Sequence, residues 1–337
     1  MKLQLNQIFQ NGAVLAANKP IRIFGTGDGH VAVDFLGMHA EADSQNGSFC
    51  VTLPAQPYGG PYEMTVTLNG DSVILSDLYL GEVLLLAGQS NIEFRMNESK
   101  DYPELSEPCH LLRAFHPERI TKNRPFHPED GWLICETDNV IANTSAIGYE
   151  VGVALTKTLG CAVGLIAAYQ GASVIQSWMP AGACERIGFR FTKEELYHSH
   201  FDYPLWNDPG QLYEAMLKPY VPYSVSTAIW YQGESNASLA ESAVYHKILA
   251  EMIRIWRCDF DDPTLPFLVI QIADYAKNIA RSNGWRQIQE AQIKVQDEID
   301  HVKTIICRDV CEDDDIHPPT KRHLSARVTN AILEDMN

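Results

Sequence analysis

The chain lacks the marks of several protein classes. No run approaches the roughly 18 apolar residues that a membrane-spanning helix needs, and the first seven residues lack the apolar core of a signal peptide. Basic residues are few, because 26 Lys and Arg stand against 43 Asp and Glu, which gives a formal net charge of −17. This acidity argues against a nucleic-acid partner and against binding to an anionic membrane surface, since both need a basic face.

Closely spaced cysteine pairs are missing as well. The eight cysteines are scattered, and only Cys307 and Cys311 lie near each other, four residues apart rather than in C-x-x-C spacing. This pattern favours free thiols over a disulfide framework and argues against a zinc site built from cysteines. With no signal peptide in view, we expect a cytoplasmic protein.

The first part of the chain has the texture of a β-protein. Residues 1–76 contain short alternating runs that are separated by turns rich in Gly and Asn, which predicts a small accessory β-sandwich domain. The predicted strands are Ile21–Phe24, Val31–Phe35, Phe49–Leu53 and Tyr62–Leu68.

Strand and helix patterns alternate over residues 77–337, which predicts an α/β domain with a parallel sheet and helices on both faces. The predicted strands are Val83–Ala87, Leu111–Phe115, Val163–Ala168, Thr227–Tyr231, Phe267–Ile272 and Lys303–Cys307. The predicted helices are Ser145–Leu159, Ala237–Trp256, Trp285–Ile299 and Thr320–Met336. The proline-rich segment 97–144 is predicted to be a long surface excursion.

Four short polar segments stand at strand ends or in loops of this domain. They are Gly88-Gln89-Ser90-Asn91, Tyr169-Gln170-Gly171-Ala172-Ser173, Trp230–Asn236 and Asp313–Pro319. Ligands bind outside the carboxyl ends of the strands in open α/β sheets, and the pattern delivers Ser90 to such an end. A serine after a strand is usually only a turn or cap residue, so the joint pattern, rather than Ser90 alone, indicates a site.

The residue types in these segments suit acyl transfer. Ser90 is the candidate nucleophile and His317 the candidate base, because an imidazole can take the hydroxyl proton near neutral pH. Asp314 is the candidate acid that orients the ring, and Asp315 is the alternative. The donors that a tetrahedral intermediate needs would be the N–H groups of Ser90 and Gly171 and the side-chain amide of Gln232.

The same segments resemble the sequence blocks of a known family, the sialate O-acetylesterase branch of the SGNH hydrolases, which is similar to carbohydrate esterase family 6. Gly88–Asn91 resembles its serine block, Gly171–Trp178 its glycine block, and Asp315–Pro318 its histidine block. Residues Ile229–Ala237 are close to a family signature, and the similarity extends over nearly the whole chain.

The resemblance implies an SGNH-type α/β/α sandwich preceded by a β-sandwich. It implies a serine esterase without metal or other cofactor, in which Ser90 and His317 act with an Asp on O-acetylated sialic acid. Acetyl-xylan or another plant glycan ester is the alternative substrate, and an inactive carbohydrate-binding protein is the alternative from outside the enzymes. An acetylated carbohydrate is therefore the expected partner, and homo-oligomer formation stays open.

Four residues are candidates for contact with the sugar. Trp178 is an aromatic residue at a motif and therefore a candidate for stacking on a sugar. Arg95 is a candidate clamp for the carboxylate of sialic acid; Lys321 and Arg322 are the other cations near the motifs. Glu234 and Asn91 lie inside the motifs and complete this set.

Overall fold

The structure is a computed structural model that describes residues 2–120, 125–197, 205–280 and 284–336. The strands are β1 (Gln4–Leu5), β2 (Val14–Ala16), β3 (Ile21–Thr26), β4 (His30–Phe35), β5 (Met38–Asp43), β6 (Ser48–Leu53), β7 (Gly59–Leu68), β8 (Asp71–Gly88), β9 (Cys109–Phe115), β10 (Leu133–Cys135), β11 (Val163–Tyr169), β12 (Thr227–Tyr231), β13 (Phe267–Ile270) and β14 (Val302–Ile305).

The helices lie mostly in the second half of the chain. They are α1 (Ser90–Glu93), α2 (Asp138–Asn143), α3 (Ala146–Leu159), α4 (Ala183–Arg186), α5 (Leu239–Ser242), α6 (Tyr245–Asp259), α7 (Ala276–Ala280), α8 (Trp285–Glu298) and α9 (Arg322–Asp335). Short 3-10 helices span Met96–Glu98, Pro128–Asp130, Ile175–Trp178, Lys193–Glu195, Leu205–Asn207, Lys218–Tyr220 and Glu234–Asn236, and Tyr213–Leu217 forms a π-helix. None of the helices in the described ranges is long and apolar enough to cross a bilayer.

The core is a large, mostly parallel sheet. Seven of its strands follow the order β10-β9-β11-β8-β12-β13-β14, and within this series β10 alone runs antiparallel to its neighbour. Every residue of β11 and of β12 is buried, as expected for near-continuous apolar strands that are covered on both faces. Helix α3 packs on β9, β11 and α9, and α6 packs on α8. The predicted α/β class with a parallel sheet is confirmed.

The long strand β8 connects the N-terminal strands with this core. Its first part pairs antiparallel with β7 and parallel with β2, and its second part lies between β11 and β12. A separate three-stranded sheet has the order β1-β3-β6, whereas β4, β5 and β7 join the large sheet through β8. Strand β8 continues across residue 76, although its pairing with β7 shifts register between Leu75 and Leu78. The division into two domains and the β-sandwich stay predictions.

Differences from the predicted elements have identifiable local causes. The predicted helix Ala237–Trp256 is two helices, because Val244, with φ −122° and ψ 2°, leaves the helical conformation between α5 and α6. Segment 97–144 is not a plain excursion, since it also contains β10 and α2 beside the predicted strand β9. Strand β5 was not predicted although Met38, Ala40 and Ala42 alternate with polar residues; two of the three are small alanines, and all three are only half-buried, so the apolar signal is weak.

The topology brings three strand ends together. Gly88 at the end of β8 pairs with Tyr169 at the end of β11 and with Tyr231 at the end of β12. Between β11 and β12 the chain crosses from one side of β8 to the other, so these ends form a topological switch point. A crevice opens at such a point in α/β sheets, and three of the four polar segments begin there.

Candidate active site

A strained turn carries Ser90 out of the sheet. Gly88 has a φ of +132°, and a Cβ at this position would lie 2.2 Å from the carbonyl oxygen of Tyr231. Only glycine fits so close an approach in this backbone region. The N–H of Gln89 donates to the same carbonyl at 3.0 Å, which fixes the turn to β12. Ser90 then begins α1 and lies half-buried at the edge of the crevice.

His317 reaches Ser90 from the loop between β14 and α9. Its Nε2 lies 2.8 Å from Oγ of Ser90, although the two residues are 227 positions apart. Burial lowers the pKa of His317 below its usual range; Lys321 adds to this effect, and Asp315 and Glu98 oppose it. A neutral imidazole at this distance can accept the hydroxyl proton. The structure therefore brings the predicted nucleophile and the predicted base into contact.

The two candidate acids lie elsewhere than at the ring. Asp314 is exposed and has no hydrogen bond to any described residue. Oδ1 of Asp315 accepts the backbone N–H of His317 at 2.9 Å, so this carboxylate shapes the loop. Among the described residues no carboxylate accepts a hydrogen bond from Nδ1 of His317. The predicted contact between Asp314 and the ring is therefore not found in this structure.

The predicted oxyanion donors differ in their availability. The N–H of Ser90 has no hydrogen-bond partner in the described part of the chain, so it can face an acyl oxygen. Gly171 lies beside it, because a Cβ at Gly171 would be 3.7 Å from Cβ of Ser90. However, the N–H of Gly171 donates to Oε2 of Glu93 at 2.6 Å. A carboxylate oxygen thus occupies the position that a substrate oxygen needs.

The Gln232 amide is hydrogen-bonded within the protein in this structure, and its role as an oxyanion donor stays a prediction. Its side chain is fully buried, and its NH₂ group donates to the Ser173 carbonyl at 2.9 Å and to Oδ1 of Asn236 at 2.7 Å. Its oxygen accepts the hydroxyl of Tyr245 at 2.7 Å. The amide NH₂ and oxygen of Gln232 are thus hydrogen-bonded within the protein, and the side chain joins the end of β12 to the glycine-containing turn after β11. It supports the site from behind.

Three predicted sugar contacts also turn inwards. Trp178 is fully buried, donates to Oγ of Ser173 at 3.0 Å and packs edge-to-face on Trp230, so it has no face open to a sugar. Asn91 and Glu234 are buried too, and Nδ2 of Asn91 donates to Oε1 of Glu234 at 2.7 Å. These residues hold the motifs together and do not line the pocket beside Ser90, and their contact with substrate stays a prediction.

A pocket of about 210 Å³ opens next to Ser90 and His317. Its other lining residues are Glu93, Phe94, Arg95, Glu98 and Gly171. Arg95 therefore lies where it was predicted, and its guanidinium pairs with Oε1 of Glu98 at 2.9 Å. Glu93 pairs with Arg119, whose Nη2 lies 3.2 Å from Oε2. Each carboxylate at the pocket is thus paired with a guanidinium group.

Sequence reasoning missed the two carboxylates at the pocket. Glu93 lies three residues after Ser90, and Glu98 lies three residues after Arg95. Side chains three residues apart share one face of a helical turn, so this spacing was the available signal. No group of three or more His, Cys, Asp or Glu side chains within the described ranges is arranged to hold a metal ion.

A family model places the chain among known proteins. The model for carbohydrate esterases of the sialic acid-specific acetylesterase type matches residues 81–334, a range that contains the whole site. The chain belongs to this family. It is 23% identical over 336 residues to a sialate O-acetylesterase of Mus musculus and 23% identical over 319 residues to that of Homo sapiens. Each alignment covers 83% of this chain, which spans only 62% and 59% of those two relatives.

Solved structures of two proteins extend the comparison. A carbohydrate acetylesterase from Xanthomonas citri superposes with a TM-score of 0.83 at 28% identity, covering 97% of this chain and 74% of that one. A protein from Arabidopsis thaliana superposes with a TM-score of 0.55 at 17% identity, covering 76% of this chain and 99% of that one, which supports the fold alone.

Proposed function

We propose that this chain is a serine esterase that removes O-acetyl groups from carbohydrates. The observation that carries the proposal is the 2.8 Å contact between Oγ of Ser90 and Nε2 of His317, at the carboxyl edge of the sheet and beside an open pocket. Membership in the sialic acid-specific acetylesterase family supports the carbohydrate ester as substrate.

The proposed reaction has two half-steps. His317 takes the proton of Ser90 while Oγ attacks the acetyl carbonyl; the sugar oxygen then leaves with that proton, and acetyl-Ser90 forms. Water, deprotonated by His317, then attacks the acetyl-serine; acetate leaves, and the imidazolium returns its proton to Oγ of Ser90. The N–H of Ser90 stabilises the oxyanion, and the N–H of Gly171 joins it once the substrate oxygen replaces Glu93. Arg119 already contacts both oxygens of Glu93, which gives the displaced carboxylate a partner.

O-acetylated sialic acid is the first candidate substrate, because the curated relatives are sialate O-acetylesterases and Arg95 lines the pocket. To bind the carboxylate of the sugar, the Arg95 guanidinium would have to leave Glu98 or contact both carboxylates at once. A neutral acetylated glycan such as acetyl-xylan is the second candidate. The two carboxylates at the pocket, Glu93 and Glu98, favour it because they repel an anionic sugar.

Acetate release tests the proposal directly. We expect the wild type to release acetate from p-nitrophenyl acetate, and Ser90→Ala and His317→Ala to lose essentially all of this activity while they remain folded. His323→Ala is the matched control, since His323 is exposed six residues further along the same segment. Activity retained in Ser90→Ala would refute the assignment. Rates on O-acetylated sialic acid and on acetyl-xylan then decide between the substrates.

A protein that only binds carbohydrate would behave differently. It would release no acetate, and a fluorophosphonate would not label Ser90.

We also propose that residues 1–76 form an accessory β-sandwich domain, which the two sheets of the N-terminal strands support. The cytoplasmic location and the homo-oligomer stay predictions.

A further inference from the structure

Asn91, the residue after the nucleophile, joins three distant segments. Its Nδ2 donates to the Ile316 carbonyl at 3.0 Å and to Oε1 of Glu234 at 2.7 Å. Its Oδ1 accepts a hydrogen bond from Nζ of Lys321 at 2.9 Å. One buried amide therefore connects the serine segment with the residue before His317 and with a lysine that follows it.

Lys321 is an unusual residue because its side chain is fully buried. Nζ lies 4.7 Å from the ring centre of Phe94, and the Phe94 ring in turn lies 6.4 Å from the His317 ring. Burial lowers the pKa of Lys321 to about 8, while Cys311, Cys307, Glu234 and Glu312 favour its charge. Lys321 does not line the pocket, so it does not contact a substrate.

Buried lysines are rare because removing an ammonium group from water is costly, and a lysine at this position needs a compensating role. The hydrogen bond to Asn91 explains its position, and the buried carboxylate of Glu234, which Asn91 also contacts, favours its charge. The same charge also lowers the pKa of His317, whose ring lies 6.4 Å from that of Phe94.

His317 lies between opposing charges. Asp315 in its own loop and Glu98 across the pocket both favour the imidazolium, and Arg95 and Glu93 also line the pocket. Lys321 is a buried cation that opposes the effect of these carboxylates on His317. A general base must be unprotonated to act. The balance of these charges therefore decides what fraction of the enzyme has a neutral His317 at a given pH.

We propose that Lys321 is a positioning residue for His317. Through Asn91 it holds the serine and histidine segments together, and its positive charge keeps the imidazole in the proton-accepting form. The proposal rests on the esterase function only for its kinetic test.

The pH profile of kcat/KM separates this role from a purely structural one. In Lys321→Gln, which can still donate to Asn91, we expect the acid limb to move to higher pH by about half a unit or more, because a nearby cation is lost. Lys321→Arg keeps the charge and should keep the limb near its wild-type position. Lys303→Gln, at an exposed lysine, is the matched control. Activity lowered equally at every pH, with the limb unmoved, would overturn the proposal.

A titration of the His317 ring by NMR gives a readout that needs no turnover. An upward shift of its midpoint in Lys321→Gln supports the proposal even if the wild type hydrolyses no acetyl ester, so the two proposals fail separately. If Lys321→Gln does not fold, Glu98→Gln takes its place, since Glu98 is exposed and its charge has the opposite effect. A midpoint that stays unchanged in Glu98→Gln would refute the charge balance.

Discussion

Glu150 on α3 offers a quantitative test of the packing between α3 and α9. Both of its carboxylate oxygens are buried without a hydrogen-bond partner among the described residues. Burial raises the pKa of Glu150 to about 7, and Asp101 adds to the rise, while Ser325, Arg322 and Lys321 temper it. We expect Glu150→Gln to stabilise the protein at alkaline pH, because glutamine cannot ionise.

The sign and size follow from proton linkage. The folded protein keeps the Glu150 proton up to about pH 7, whereas the unfolded chain releases it near the ordinary value of 4.5. The free energy of unfolding therefore falls as the pH rises between these values and levels off above them. The full difference corresponds to about 3 kcal/mol, and screening of a partly exposed side chain reduces it to about 2 kcal/mol.

Urea unfolding at two pH values measures this effect. At about pH 4.5, where the wild-type carboxyl is protonated, Glu150→Gln should match the wild type; at pH 8.5 it should be more stable by about 2 kcal/mol. Glu290→Gln, at an exposed position on α8, is the control and should show no such difference. If the free energies of unfolding of Glu150→Gln and wild type differed by the same amount at both pH values, the ionisation of buried Glu150 would not destabilise the protein.

Three further predictions concern the site. Gly88→Ala should lower the free energy of unfolding by more than about 2 kcal/mol and abolish acetate release, because its Cβ would lie 2.2 Å from the Tyr231 carbonyl oxygen; thermal unfolding and the esterase assay measure this. Trp178→Ala should cost about 3–5 kcal/mol in urea unfolding but leave KM unchanged for the fraction that remains folded, since Trp178 does not reach the pocket. Arg95→Gln should raise KM for O-acetylated sialic acid but not for a neutral acetylated sugar; equal effects on both substrates would exclude Arg95 as a carboxylate clamp.

The meeting of Ser90 and Gly171 could be predicted because it depends on strand ends. Apolar runs mark the buried strands, the polar residues after them mark the carboxyl ends, and parallel strands place those ends at one edge. The contact of Ser90 with His317 could not be predicted from strand ends alone, because a loop brings the histidine in from the far edge of the sheet. The chemistry of the residue types suggested this contact, and the resemblance to a family supported it.

The direction of individual side chains could not be predicted in this way. Gln232 stands directly after β12, and the following Gly233 has a φ of +155°, so strand alternation no longer tells which way Gln232 points. The spacing of Asp314, Asp315 and His317 likewise permits more than one partner. A short aspartate often bonds a backbone N–H two residues later, and in this loop that local bond forms with Asp315.

The net charge of −17 and the buried cation act on His317 over different distances. A negative field favours the imidazolium, but mobile ions screen charges on the surface beyond about 8 Å at physiological salt. Lys321 is buried, so it is screened far less than the surface carboxylates. Added salt should therefore weaken the exposed Glu98 and Asp315 more than Lys321, and the acid limb of kcat/KM should move to lower pH. A limb that moves upward with salt would mean that the surface carboxylates do not act on His317.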